Sequence, residues 1–201
     1  NTLEDFNAET YTLPNNYQSV ENITALERGM SSNYTQAAVL SEALASLYKE
    51  GDLRLDAYFK AADKNGYRFS QKSGKDDFRC SFRVGEMYLN SAEAAAQSDK
   101  LPQARTRLLE LMQKRYTPEA YTVKATAVNA MTKEALIQEI LDERARELAF
   151  EGHRWFDLRR TTRPRIEKVL KGGTYVLEQD DSRYTIQIPR EAIAANPELS
   201  N

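Results

Sequence analysis

Apolar residues recur at helical spacing in several stretches of the chain and alternate with polar residues in others. From 35 to 50, Ala37, Val39, Leu40, Leu44, Leu47 and Tyr48 predict an amphipathic helix that Gly51 stops. Over 53–71 the period changes to two. Leu53, Leu55, Ala57 and Phe59 alternate with charged or polar positions, Asn65-Gly66 supplies a tight turn, and Tyr67 and Phe69 resume the alternation. That pattern predicts a β-hairpin, followed by a polar loop at 73–77. Helical spacing returns at Val84, Met87, Tyr88, Ser91, Ala92 and Ala95, and again at Ala104, Leu108, Leu111, Met112 and Arg115, across a short polar turn at 98–100. The small residues of the first run permit close approach of the second. Residues 82–116 therefore read as an antiparallel helix hairpin, about the length of one tetratricopeptide unit of roughly 34 residues. No second copy follows at that period.

The remainder reads as 132–160 with connecting segments. Residues 117–131 are expected to be a loop. Thr132 is a suitable N-cap for a long helix to about Glu151, with Leu136, Ile137, Ile140, Leu141 and Leu148 on its buried stripe. Gly152 interrupts it before a short helix holding Trp155 and Leu158. Pro164 can start a further turn over 165–171, which Gly172-Gly173 breaks. Residues 174–178 and 184–189 are strand candidates, 189–201 is a turn-rich ending, and 1–22 reads as a loop.

The densest chemistry lies in 147–160, ELAFEGHRWFDLRR, which holds the only histidine and the only tryptophan. Arg144, Glu147 and Glu151 are three and four apart, so they share one side of a helix beside the apolar stripe. Carboxylates placed there are partly desolvated and need partners, and Arg154, Arg159 and Arg160 are the nearest candidates in sequence, with Asp157 among them. The expected arrangement is a structural charged seam of Arg144, Glu147, Glu151, Arg154, Asp157 and Arg159, with Trp155 and Phe156 as structural aromatics. A hydrolase using Glu147 with Glu151 or Asp157 as acid and base is the competing reading. Carboxylates on adjacent turns of one helix are poorly set to flank a glycosidic bond, and the surrounding arginines keep both ionised. A di-iron site wants Glu-x-x-His, whereas Glu151 and His153 are two apart. Cys80 with His153 lacks a group to orient the base. No catalytic residue, cofactor or metal is expected.

Composition narrows the classes further. The formal net charge of −2, without a long block of like charge, argues against a nucleic-acid partner. One cysteine excludes an internal disulfide, and with one histidine it excludes a Cys/His zinc cage. No apolar run approaches the roughly 20 residues that span a bilayer.

Four blocks in order, RVGEMYLNSAEAAAQ (83–97), QARTRLLELMQKR (103–115), ILDERARELAFEGHRWFDLRR (140–160) and IQIPREAIAANPELSN (186–201), resemble the C-terminal half of the SusD/RagB family. The resemblance covers about 40–201, and the third block is its most specific part. It implies a mainly α fold, with tetratricopeptide-like helix pairs, a small β-hairpin and irregular loops, forming one SusD-like C-terminal domain over 1–201. It implies a non-enzymatic, surface-exposed outer-membrane lipoprotein of polysaccharide utilisation. Such a protein binds an oligosaccharide or other nutrient and partners a SusC-type TonB-dependent transporter. Members are usually more than twice this length, so a lipidated N-terminal cysteine is expected upstream; Cys80 is not that residue. Ligand residues vary within the family and none carries over. On physical grounds the candidates are loop aromatics that could stack on sugar rings, Tyr116, Tyr121 and Tyr175. The plainer alternative is that each packs on the body, which loop tyrosines do more often. The alternative function is a tetratricopeptide-like protein-interaction scaffold without a small-molecule ligand.

Overall fold

The computed structural model describes residues 2–27, 38–72, 79–170, 172–196 and 198–199. The chain divides into two compact units, Asn1–Gly152 and His153–Asn201.

In the first unit β1 (Asn22–Glu27) pairs antiparallel with β2 (Arg79–Arg83), Ala25 opposite Ser81 and Glu27 opposite Arg79. Between them, among the described residues, lie two short helices, α1 (Glu42–Ala45) and α2 (Arg54–Tyr58). The core is built by four longer helices, α3 (Val84–Gln97), α4 (Leu101–Met112), α5 (Pro118–Ala130) and α6 (Lys133–Glu147). The tetratricopeptide-like pair is α3 and α4, joined by three residues, with Asp99 in the left-handed region at φ 59°. Ala92, Ala95 and Ala96 of α3 pack among Ala104, Leu108 and Leu111 of α4, and Leu136 and Ile140 of α6 close the cluster. A second cluster joins Phe6, Tyr48, Tyr58, Phe59 and Ala149.

Several expectations change. Of the helix expected over 35–50, residues 35–37 lie outside the described residues, and only α1 forms, capped by Ser41. Tertiary bonds take the backbone that follows: Leu53 N–H donates to the Arg115 carbonyl and Thr117 N–H to that of Gly51. The hairpin over 53–71 keeps its turn at Asn65-Gly66, and Phe59 bridges Ser70. Its first arm is helical instead, because α2 must carry Arg54 into the interior. The loop expected at 73–77 falls outside the described residues. Residues 117–131 hold helix α5, not a loop: the Thr117 hydroxyl accepts from Ala120 N–H and Pro118 sits in the first turn. Val128 is the one fully buried residue of α5, and the half-buried Ala120, Tyr121 and Ala125 make a stripe too narrow and too small in side chain to stand out. Helix α6 ends at Glu147, earlier than expected, because Phe150 and Gly152 adopt φ of 62° and 88°.

The second unit begins with α7 (Arg154–Arg160). Residues 165–171 do not form a helical turn. Ile166–Leu170 is β3, paired antiparallel with β4 (Gly173–Leu177), so that Lys168 faces Tyr175 and Ile166 faces Leu177. The strand expected at 184–189 is also absent: a 3-10 turn at Ser182–Tyr184 ends in Tyr184, whose buried ring anchors the unit. The ending contains a helix, α8 (Arg190–Ala195).

Two glycines test how the first unit closes. Gly51 and Gly66 both have φ above 80° or at it, 80° and 84°. A Cβ on Gly51 would lie 2.4 Å from the Ala120 Cβ, whereas one on Gly66 meets nothing. Gly66→Ala should cost only the left-handed strain, about 1 kcal/mol. Gly51→Ala adds a steric clash and should cost about 2–4 kcal/mol, lowering the melting midpoint by roughly 4–16 °C. Equal midpoints for the two variants would refute the close approach of α5.

Candidate functional site

The buried stripe of α6 starts apolar and ends charged. Leu136 and Ile140 are followed at helical spacing by Glu143 and Glu147, all fully buried. Each carboxylate needs compensation, and the chain supplies it from distant segments. Glu147 accepts from Arg54 (3.0 Å), from Arg83 (2.7 Å) and from Arg115 (3.0 Å). Glu143 accepts from Arg54 at 2.7 Å and Arg146 at 2.6 Å. Arg54 also grips Asp52 at 2.8 Å, and Arg115 pairs with Glu21. Glu151 accepts from Arg83 at 2.8 Å and from Lys72. Lys72 donates further to the Glu147 carbonyl at 2.8 Å and the Ala149 carbonyl at 3.1 Å, and Arg83 donates to the Glu147 carbonyl at 2.8 Å. Two cations thus satisfy the carbonyls at the negative end of α6. Five buried cations, Arg54, Lys72, Arg83, Arg115 and Arg146, meet five buried carboxylates, Glu21, Asp52, Glu143, Glu147 and Glu151, so the cluster is neutral.

Glu147 and Glu151 lie in this buried cluster, with partners other than the arginines expected. The cations that hold those two glutamates come from positions 54, 72, 83 and 115, not from 154–160. Arg144 is buried beside α3, 2.6 Å from the Asn90 side chain. Asp157 pairs with Arg160 at 2.7 Å in the second unit, Arg154 is exposed and Arg159 half-buried. Sequence proximity favoured the nearby arginines; Arg54 and Lys72 sit in stretches whose local pattern gives no sign of burial.

Burial alone would raise the glutamate pKa values, but the guanidiniums overcome it. Glu147 is held well below the usual carboxylate range by Arg115, Arg83 and Arg54, and Glu151 is lowered by Arg83 and Lys72. Arg54 and Arg146 bring Glu143 to about 2. Burial pushes the Lys72 ammonium down to about 8 against the pull of Glu151. The cluster can hold helices together. Its buried glutamates stay ionised near neutral pH and so are unsuited to act as general acids there.

The aromatic candidates separate by exposure. Tyr116 is buried, its hydroxyl accepting from Arg54 at 2.9 Å and donating to Glu143 at 3.3 Å, so it belongs to the seam and not to a ligand site. Tyr121 packs half-buried against the helical core. Tyr175 is 62% exposed. Trp155 and Phe156 are not core anchors: they are 37% and 63% exposed. The α7 position that points inward is Asp157, with Leu158 and Arg159 half-buried. Trp155 instead stacks on buried Tyr184, with ring centroids 5.1 Å apart and planes 9° apart. Trp155, Ile166, Lys168, Tyr175, Leu177 and Arg183 line an open groove of about 290 Å³ within the second unit. A second groove, of about 260 Å³, lies in the first unit between Ile23, Met87 and Tyr88, but there Arg107 covers the Tyr88 ring at 5.7 Å.

These features define a mainly helical protein with one tetratricopeptide-like pair, a buried ionic seam and an exposed aromatic shelf. The model of the SusD family matches residues 48–201, and the chain belongs to that family. No match is found among curated proteins. Among solved structures, a SusD superfamily protein from Bacteroides fragilis is similar at TM-score 0.67 and 21% identity, over 95% of this chain and 49% of that one. A SusD-like carbohydrate binding protein from Bacteroides vulgatus is similar at TM-score 0.57 and 18% identity, over 92% of this chain and 49% of that one. The chain thus spans about half the length of these relatives.

Replacing Glu147 by Gln leaves three buried guanidiniums short of a counter-charge and should destabilise by about 3–5 kcal/mol. Glu110→Gln, which breaks the exposed Arg107–Glu110 pair at 2.8 Å, should stay within about 1 kcal/mol. Similar denaturation midpoints for both variants would contradict the seam. The seam also sets an acid limit. Because its carboxyls are depressed in the folded chain, their contribution is present above the ordinary 4.5 and lost as pH falls through the folded values. For Glu143 the loss runs from 4.5 to about 2 and amounts to roughly 3 kcal/mol. Thermal midpoints should hold from pH 7 to 5 and fall steeply below 4.5; a flat profile to pH 3 would refute the pairing.

Proposed function

We propose that the chain is the C-terminal portion of a non-catalytic glycan- or nutrient-binding protein that works with a SusC-type TonB-dependent transporter at the outer-membrane surface. In this reading both compact units belong to one SusD-like C-terminal domain, and an upstream lipid anchor holds the protein at the cell surface. The carrying observation is the SusD-family match over 48–201. The carbohydrate-binding name of the Bacteroides vulgatus relative supports the glycan class. Among the described residues no helix is long and apolar enough to cross a membrane.

The seam's chemistry speaks against the competing hydrolase. Glu147 and Glu151, the acid–base pair of the competing hydrolase, are buried and held ionised by arginine and lysine. An uptake partner also requires its ligand delivered intact.

Incubation of the purified chain with a broad oligosaccharide panel should give calorimetric binding to at least one member and no new reducing ends over a day. Turnover that vanishes in Glu147→Gln and Glu151→Gln variants of intact fold would overturn this function. A panel without any binding, combined with capture of a peptide partner by the α3–α4 pair, would favour the scaffold alternative.

A further inference from the structure

We propose that the groove of the second unit is a subsite for an acidic saccharide, a sugar ring bearing a carboxylate such as a uronic acid; the proposal rests on the glycan-binding function above. The register of β3 and β4 sets Lys168 opposite Tyr175 and Ile166 opposite Leu177, so these four side chains share one face of the hairpin. Trp155 joins them from α7. One face of its indole is covered by Tyr184, and the Tyr184 hydroxyl is itself tied to the Pro164 carbonyl. The aromatic floor is thereby fixed before any ligand arrives, which lowers the ordering cost of binding.

The rest of the lining states the ligand's chemistry. Two exposed aromatic rings and two aliphatic side chains offer flat carbon surface of the kind that the C–H face of a pyranose covers. The charged groups of the lining are two cations with different roles. Arg183 is occupied: it donates to Asp181 at 2.9 and 2.7 Å and to the Val176 carbonyl at 2.9 Å. Its charge is neutralised and it serves as a rigid rim. Lys168 is exposed and has no ion-pair partner among the described residues. An anion stacked on Tyr175 would meet that ammonium. The surroundings reinforce the sign: positions 153–201 carry nine Lys and Arg against seven Asp and Glu, although the whole chain is net −2. A groove of about 290 Å³ matches one or two rings, at the lower end of small-ligand sites.

Trp155 is the only tryptophan in the chain, so its fluorescence reports on this groove alone. The intact chain is titrated with trigalacturonate and with the neutral trisaccharide obtained by reducing its carboxylates, by calorimetry and by tryptophan emission. The expected result is a saturable emission change. Affinity for trigalacturonate should be about tenfold the higher at low salt, with the advantage shrinking in 0.5 M salt. Lys168→Ala should abolish that advantage while keeping the neutral sugar's affinity, and Tyr175→Ala should weaken both about tenfold. Both positions are exposed, and unchanged thermal midpoints confirm intact folding. Equal affinity for the two sugars would overturn the acidic class. Calorimetric binding with silent emission, insensitive to both variants, would overturn the groove and leave the glycan-binding function standing. Emission changes that track protein concentration and self-association would make the groove a contact between copies and also overturn the proposal. If neither trisaccharide binds while other glycans of the panel do, only this subsite falls; if no glycan binds at all, both fall.

Discussion

The first unit depends on one carboxylate, that of Glu147, buried and held by three guanidiniums. Each of the three arginines belongs to a different part of the chain: Arg54 to a short helix, Arg83 to the end of a strand, Arg115 to the turn after α4. An ion so placed is very costly without its partners. The arrangement therefore admits only those packings of α2, β2, α4 and α6 that bring all three arginines to one point. Apolar contacts among alanines and leucines bring the helices together; they tolerate sliding that the ion cluster does not. Arg115 extends the constraint to the N-terminal segment, through Glu21 and the Glu4 carbonyl. A loop rich in polar residues is thereby made part of the interior.

The end of α6 illustrates how strain and charge combine. Phe150, a bulky residue with positive φ, and Gly152 turn the chain just after the helix. The turn returns Glu151 to the seam, where Lys72 and Arg83 bind its carboxylate and the Glu147 carbonyl, and Lys72 also the Ala149 carbonyl. Left-handed backbone at a non-glycine position costs of order 1–3 kcal/mol and persists where the surroundings impose it. Here the surroundings are the two cations.

The fourteen residues 147–160 serve two purposes that their density hides. Glu147 and Glu151 lie inside the first unit as structural ions, whereas Trp155 stands at the surface of the second beside Lys168 and Tyr175. In SusD-family terms the most recognisable stretch of the chain is chiefly a structural lock, and the aromatic groove arises where a tryptophan from that stretch meets a hairpin with its own charge pattern. The solved relatives, at 18% and 21% identity, speak for the fold and not for the groove.

The mainly helical class, the helix pair formed by α3 and α4, the N-cap of α6 and the need of Glu147 and Glu151 for cations are legible in the residues alone. These are local matters: apolar periodicity, small residues at a helix contact, a Thr at a helix start, and the need of a desolvated carboxylate for a cation. Helix α5 was also written locally, in Thr117-Pro118, but its stripe of Tyr121, Ala125 and Val128 is narrow, with one residue fully buried. Which cations answer Glu147 is set by tertiary packing, because Arg54, Lys72, Arg83 and Arg115 lie 32 to 93 positions away; Arg115 continues the helical spacing of Leu108, Leu111 and Met112, but nothing local marks Arg54 or Lys72 as buried. Tertiary packing also decided that Tyr116 lies inside and Tyr175 outside. Both are tyrosines beside loops; one faces the ion cluster, the other is set by the β3–β4 register on an open face, and that difference exists only once the strands have paired.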